Sequence, residues 1–274
     1  MVALLKWAGS KRLLVEFLRE NFKLEKDCFY VEPFVGGGNS FLDIKGEFAA
    51  ASDKNLSLIY LWEAVKGDLD SLISWYSYYY DLHSDKGYET ARKVYNDLIR
   101  DIDKGEILPE RKLDIAGVFL YIMKTCYNGL CRYRKREHYY NVPIGDKLPS
   151  IKSVTEELRE VNSRIQNTRF HYWDFEETIT YYQSKPNAFF YCDPPYSQID
   201  GKGFQDYIGG WQNSDADRLK KTLVESGCRF AVSEIDCPAV RERYVSYPII
   251  ELQANRSIGG NRSKVNEVLI LSRI

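Results

Sequence analysis

No run of apolar residues in this 274-residue chain approaches the ~20 needed to cross a bilayer, and its opening stretch lacks the apolar core of a secretory signal. A membrane or secreted protein is therefore not expected, and the expected location is cytoplasmic. Paired cysteines are also missing. Cys28, Cys126, Cys131, Cys192, Cys228 and Cys237 contain no Cys-x-x-Cys spacing, so neither a bound metal nor a redox pair is expected. Several of them lie in apolar, strand-like runs where a free thiol packs as a small hydrophobe. Positive charge is not in excess either, because 38 Lys and Arg face 39 Asp and Glu for a net charge of −1. That balance excludes a globally basic surface, so any nucleic-acid contact must rest on a local cluster. There is no internal repeat and no low-complexity tail, and nothing implies a protein partner.

What is present begins with length and aromatics. The chain is long enough to bury a full core as one large domain, or as one domain carrying an inserted second. Twenty-one tyrosines and five tryptophans serve cores and base-stacking surfaces alike. Short apolar runs bounded by turn residues predict strands at 29–31, 48–52, 170–173, 188–192 and 229–233, with helical patterns between most of them. The pattern is that of an α/β sheet. Val245 to Leu252 and Val265 to Leu271 read as a closing antiparallel pair.

The most informative stretch is Asp193-Pro194-Pro195-Tyr196, which closes the run Ala188 to Cys192. Two prolines fix φ and remove two N–H donors, so this turn at a strand's carboxyl end offers acceptors and little else. Such a pocket suits an amino group. Asp193 takes one hydrogen of an exocyclic amine and a turn carbonyl the other, which keeps the nitrogen lone pair available for attack on an electrophile. Tyr196 supplies a face on which a base stacks.

Three other strand ends carry polar or glycine-rich turns. Glu32-Pro33-Phe34-Val35-Gly36-Gly37-Gly38 follows the first strand, where backbone amides approach a nucleotide-like cofactor, but it does not meet the dinucleotide fingerprint. Asp53 ends the second strand and is placed to accept from both hydroxyls of a ribose, or to cap the helix that begins near Leu56. A ribose without a phosphate points to S-adenosylmethionine. Asp174 and Phe175, after the next strand, suit an adenine amino group and ring face, and Asp174 is also positioned as a helix cap. Near the start, Lys6 and Lys11 flank Trp7-Ala8-Gly9-Ser10, where small residues let backbone come close to a ligand.

Between the second and third strands of the sheet the alternation stops. Helical patterns cover 73–80, 88–102 and 115–123, with a polar linker near 105–109. This insertion ends in Tyr127-Asn128-Gly129-Leu130-Cys131-Arg132-Tyr133-Arg134-Lys135-Arg136 and then Asn141-Val142-Pro143, the local basic cluster that the neutral total requires. Asn128-Gly129 is a turn signal, so Arg132 is expected on an exposed hairpin or loop. Ser153 to Glu156 reads as a capping box for a helix running to Ile165. The glycine-rich segment 201–207 has the composition of an active-site cover. Residues 255–264 read as the connection of the closing pair, with Arg256, Arg262 and Lys264 as phosphate contacts.

Lys-Trp-Ala-Gly-Ser-Lys, Val-Glu-Pro-Phe-Val-Gly-Gly-Gly, Tyr-Asn-Gly-Leu-Cys-Arg, Asn-Val-Pro and Asp-Pro-Pro-Tyr, in this order, resemble the Dam family of DNA adenine-N6 methyltransferases, of the D12 class. The resemblance spans nearly the whole chain. It implies a Rossmann-like S-adenosylmethionine-dependent methyltransferase sheet formed by 1–60 and 148–274, with an inserted, mainly helical target-recognition domain at 61–147. It further implies that Trp7, Lys11, Phe34, Gly36, Asp53, Asp174 and Asp193 surround S-adenosylmethionine, with Phe175 beside Asp174. Asp193, Pro194 and Tyr196, with Pro195 between them, would hold a flipped adenine. Tyr127, next to Asn128, would enter the duplex, and Lys6, Leu130, Arg132 and Pro143 would read neighbouring pairs of a GATC-type site in double-stranded DNA. Asn141 belongs to the same surface. The chain departs from the family at Gly145-Asp146-Lys147, where an aromatic is frequent, and at Ser233-Glu234, where Ser-Asn is common. Methylation of RNA or of protein glutamine, and a catalytically silent DNA-binding regulator, are the competing functions.

Overall fold

The structure is a computed structural model that describes residues 3–7, 9–103, 109–134, 139–196, 211–258 and 261–272. In chain order its helices are α1 (Val15–Phe22), α2 (Phe41–Ile44), α3 (Leu56–Gly67), α4 (Leu69–Asp81), α5 (Asp85–Asp103), α6 (Lys112–Thr125), α7 (Ile151–Arg164), α8 (Phe175–Tyr182), α9 (Asn213–Glu225) and α10 (Pro238–Arg243). Its strands are β1 (Phe29–Glu32), β2 (Ala49–Ser52), β3 (Tyr133–Arg134), β4 (Tyr139–Tyr140), β5 (Thr168–His171), β6 (Ala188–Cys192), β7 (Arg229–Ile235), β8 (Ile249–Ile258) and β9 (Asn261–Leu271).

Seven strands form one sheet in the order β5-β2-β1-β6-β7-β9-β8. β1 pairs in parallel with β2 and β6, and β6 in parallel with β7, while β7 and β8 both run antiparallel to β9. This is a mainly parallel, Rossmann-like sheet. The strand order reverses between β1 and β6, and in open α/β sheets the crevice at such a reversal is where ligands collect.

The chain divides into two compact units. The second comprises Leu14–Val35, Ile44–Lys54 and Trp173–Ile274. Its strand β6 shows why a parallel strand reads as an unbroken apolar run, for all five residues are buried. Ala188, Phe190 and Cys192 enter a core with Phe175, Ile179 and Tyr182 of α8 and Leu219 and Leu223 of α9. The alternate residues Phe189 and Tyr191 meet Phe22 of α1, each with ring centroids 5.0 Å apart.

The first unit comprises Met1–Leu13, Gly36–Asp43 and Asn55–Tyr172. Its centre is α6, buried continuously from Ile115 to Met123 and packed against α3, α4 and α5. A helix apolar on every side needs neighbours on every side, which these three provide.

Several sequence expectations are corrected. The helix expected to start at Ser153 begins at Ile151, because Ser150 is the cap and its hydroxyl accepts from Ser153 N at 3.2 Å. Residues 255–258 and 261–264 are not a loop but the continuation of β8 and β9, paired from Asn255↔Lys264 to Ile258↔Asn261. Arg256, Arg262 and Lys264 therefore stand on a long hairpin, placed by backbone pairing alone. The segment 201–207 and most of the linker near 105–109 lie outside the described residues. Among the described residues no helix is long and apolar enough to cross a membrane, and no cluster of His, Cys, Asp and Glu could hold a metal.

Candidate functional site

In the second unit the carboxyl ends of β1 and β6 lie side by side, in the register Val31↔Phe190. The turn after β1 is pinned to the end of β2, since Val35 N donates to Ser52 O at 3.0 Å and Ser52 Oγ to Pro33 O at 3.4 Å. Asp53 follows at once and is 1% exposed. The capping alternative for Asp53 falls away, because Asn55 is the cap of α3 and its Oδ1 accepts from Leu58 N at 3.1 Å.

Asp174, by contrast, does cap. It closes a capping box with Glu177 at the start of α8, and its Oδ1 accepts from Glu176 N at 2.9 Å. Its Oδ2 also meets Lys54 Nζ at 2.5 Å and Arg218 at 3.4 Å. Burial pushes this carboxyl upward, but Lys54, the Glu176 amide and Arg218 outweigh burial and hold it below the usual carboxylate range.

Beside it, the Phe175 ring stacks on Phe34 with centroids 5.7 Å apart, and the Arg218 guanidinium lies 4.4 Å from the Phe175 centroid. Trp211 meets both rings edge-on, 5.6 Å from Phe34 and 5.8 Å from Phe175. The structure thus gathers Phe34, Asp174 and Phe175, which the sequence singled out, with Trp211, Lys54 and Arg218, which it did not. Trp211 is buried, and its indole Nε1 has no hydrogen-bond partner among the described residues. A buried donor without a partner costs about 1–3 kcal/mol and fits a place where an acceptor arrives with a ligand. A lone tryptophan after Gly209-Gly210 and just before a helix was its only sequence signal.

At the end of β6, Asp193 is half-buried, and Pro194 and Tyr196 are buried. Tyr191, two residues earlier, shares a 2.9 Å hydrogen bond with Ser233 Oγ. Burial and then the Asp193 charge push its phenol well above the usual value. Glu32 is buried as well and accepts from Tyr30 Oη at 2.6 Å. Burial, Glu32 and Asp193 together raise the Cys192 thiol, so this sheet end is acidic and holds its neighbours in their neutral forms.

In the first unit Gly36 has φ +49°, and a Cβ on it would come within 2.8 Å of the Trp7 indole. Only glycine lets that ring lie against the turn. Trp62 Nε1 donates to Gly36 O at 3.2 Å, and the buried Lys11 donates Nζ to Gly9 O at 3.0 Å.

The same unit builds the basic segment. Tyr127 N donates to Pro143 O at 2.9 Å and Gly145 N to Thr125 O at 2.8 Å, around a Cys126↔Ile144 bridge. Asn128 and Gly129 both take left-handed angles, φ 55° and 65°. A Cβ on Gly129 would stand 2.9 Å from Lys6 Cβ, so Lys6 lies directly against this turn. Lys6, Tyr127, Asn128, Leu130 and Pro143 are thereby brought together. Tyr127 is 46% exposed, while Arg132 is half-buried rather than exposed as expected. Arg132 is drawn in because its Nε donates to Asn141 Oδ1 at 3.1 Å. The Asn-Gly turn precedes the hairpin instead of closing it, for the two strands are β3 and β4, paired Tyr133↔Tyr140 and Arg134↔Tyr139. Lys135 and Arg136 lie outside the described residues.

The model of the D12 class N6 adenine-specific DNA methyltransferases matches residues 7–258 of this chain. A DNA adenine methylase of Serratia marcescens is 33% identical over 99% of this chain and 98% of its own length. That of Escherichia coli K12 is 30% identical over 98% and 94%. A type II methyltransferase of Lactococcus lactis subsp. cremoris is 28% identical over 97% and 93%.

Proposed function

The chain belongs to the D12 class of N6 adenine-specific DNA methyltransferases, and from that premise we propose that it transfers a methyl group from S-adenosylmethionine to N6 of an adenine flipped out of double-stranded DNA, within GATC or a related site. The observation that carries this reading is the pairing of β1 with β6, which sets the Asp193-Pro194-Pro195-Tyr196 turn beside Glu32-Pro33-Phe34 at the strand-order reversal. S-adenosylmethionine supplies an electrophilic methyl group. Asp193 accepts one N6 hydrogen and a turn carbonyl the other, which orients the nitrogen lone pair. Tyr196 stacks on the flipped base.

The second unit fits such a cofactor in its donor set. Asp53 is buried and carries two acceptors for ribose hydroxyls, the half-buried Phe34, backed by Phe175, offers a ring face to an adenine, and Trp211 Nε1 offers it a donor. Asp174 Oδ2 lies in the same cluster, already held by Lys54. The family resemblance assigns Trp7, Lys11 and Gly36 to S-adenosylmethionine as well.

Residues 61–147 form the target-recognition domain of this account. Tyr127 fills the gap left by the flipped base, and Asn128 and Asn141 meet the backbone. Lys6, Leu130, Arg132 and Pro143 read base edges. Arg256, Arg262 and Lys264 on the β8–β9 hairpin contact phosphates. The enzyme acts in the cytoplasm, where DNA and cofactor are both present. Transfer of a labelled methyl group from S-adenosylmethionine, compared on duplex DNA, single-stranded DNA and RNA, tests the reading. Preference for the duplex supports it, and preference for RNA or an absence of transfer overturns it.

A further inference from the structure

Tyr88 and Tyr95 sit seven residues apart on α5 and so share one face two turns long, and Asn96, next to Tyr95, flanks that face about 100° round the helix. All three are buried, and each sends its polar end into or against the segment 127–143. Tyr88 Oη donates to Val142 O at 3.0 Å. Tyr95 Oη donates to Ser57 Oγ at 3.0 Å, so in its 2.6 Å contact with Tyr133 Oη the donor is Tyr133. Asn96 makes two bonds to a single residue: its Nδ2 donates to Tyr140 O at 3.1 Å, and Tyr140 N donates to its Oδ1 at 2.7 Å. The side-chain amide stands where a neighbouring strand's peptide group would stand. Tyr140 Oη in turn donates to Leu130 O at 2.9 Å, which ties the clamp back to the Asn-Gly turn.

Among the described residues β3 and β4 pair at two positions, Tyr133↔Tyr140 and Arg134↔Tyr139. A slip of one residue would turn every side chain of the hairpin to the other face. A one-residue slip would leave the Asn96 amide unmatched, because only alternate residues of a strand turn both C=O and N–H to the edge it occupies. We propose that Asn96, supported by Tyr95, is a positioning residue for sequence discrimination. It fixes the register of the β3–β4 hairpin, and with it the places of Arg132 and Asn141, without touching DNA. The inference rests on the reading that segment 127–143 recognises base pairs.

The test uses the full chain on a duplex library randomised around a fixed adenine, with methylated products sequenced, so the preferred site is defined by the wild type whatever it is. Asn96→Ala is expected to lower the preference for the best site over its single-pair variants about tenfold, the scale of one lost base contact. Affinity for S-adenosylhomocysteine, read by calorimetry, stays unchanged. Tyr95→Phe removes one hydroxyl and keeps the ring, so it decides the matter where Asn96→Ala does not fold; its expected fall is about threefold. A purely structural role lowers the rate on every sequence alike. Unchanged preference in the folded variants overturns the proposal. Arg132→Ala separates the two failures: if it relaxes preference and the α5 variants do not, only this inference falls. If it too leaves preference intact, the reading of the segment has failed.

Discussion

Arg132 donates its Nε–H to Asn141 Oδ1 across 3.1 Å, and Asn141 N donates back to Arg132 O at 3.4 Å, so the two residues brace each other just outside the β3–β4 ladder. The bond uses one corner of the guanidinium and leaves its two Nη groups as the fork that suits guanine O6 and N7. Arg132→Ala should therefore cost about 1–3 kcal/mol of discrimination at one base pair. Asn141→Ala should relax the same position by less, because the fork stays but loses its brace. Rates on duplexes that each differ from GATC at one pair measure both. An equal loss on every duplex would make Arg132 a phosphate contact.

Asp174 yields a pH prediction. Its carboxyl is held below the usual range despite burial, chiefly by Lys54 and the Glu176 amide. A lowered native value means that its stabilisation is complete above about pH 4, the ordinary carboxylate range, and is lost as pH falls through the native value. Asp174→Asn should thus be less stable than wild type at pH 7, with the gap closing on acidification below about pH 4. Urea unfolding across that range checks it. A gap that persists unchanged would show that the cap geometry, not the charge, carries the effect.

The ring cluster makes a claim about cofactor affinity. Trp211→Phe keeps an aromatic ring but removes the orphaned donor, and should weaken S-adenosylhomocysteine binding by about 1 kcal/mol. Asp53→Ala should weaken it by about 1–3 kcal/mol if both ribose hydroxyls bond to the buried carboxylate. Calorimetry on the two variants tests each residue separately. Full affinity in Trp211→Phe would reduce that ring to core packing.

How much of this was legible in the sequence follows from where each signal resides. β1, β2, β6 and β7 read within a residue or two, because a strand buried on both faces is a bare apolar run closed by turn residues. The far ends of β8 and β9 did not, since Asn255–Ile258 and Asn261–Lys264 pair through backbone while their polar composition reads as a loop. Ser153 was mistaken for a cap because two serines stand three residues apart, and only backbone angles separate them. Of the candidate site, Asp193 and its prolines were visible because the chemistry proposed for them is local. Asn96 was not, for it works through Tyr140, 44 positions away, and nothing in its own neighbourhood records that partner.

The central claim is that Asp193 prepares an adenine N6 for methylation, and single-turnover transfer to duplex DNA at saturating S-adenosylmethionine tests it most directly. Asp193→Ala should lose on the order of 100-fold or more in rate, as expected when a preorganised acceptor is removed from a sheltered site, while staying folded and still binding DNA. Transfer by the variant at nearly the wild-type rate would contradict the account.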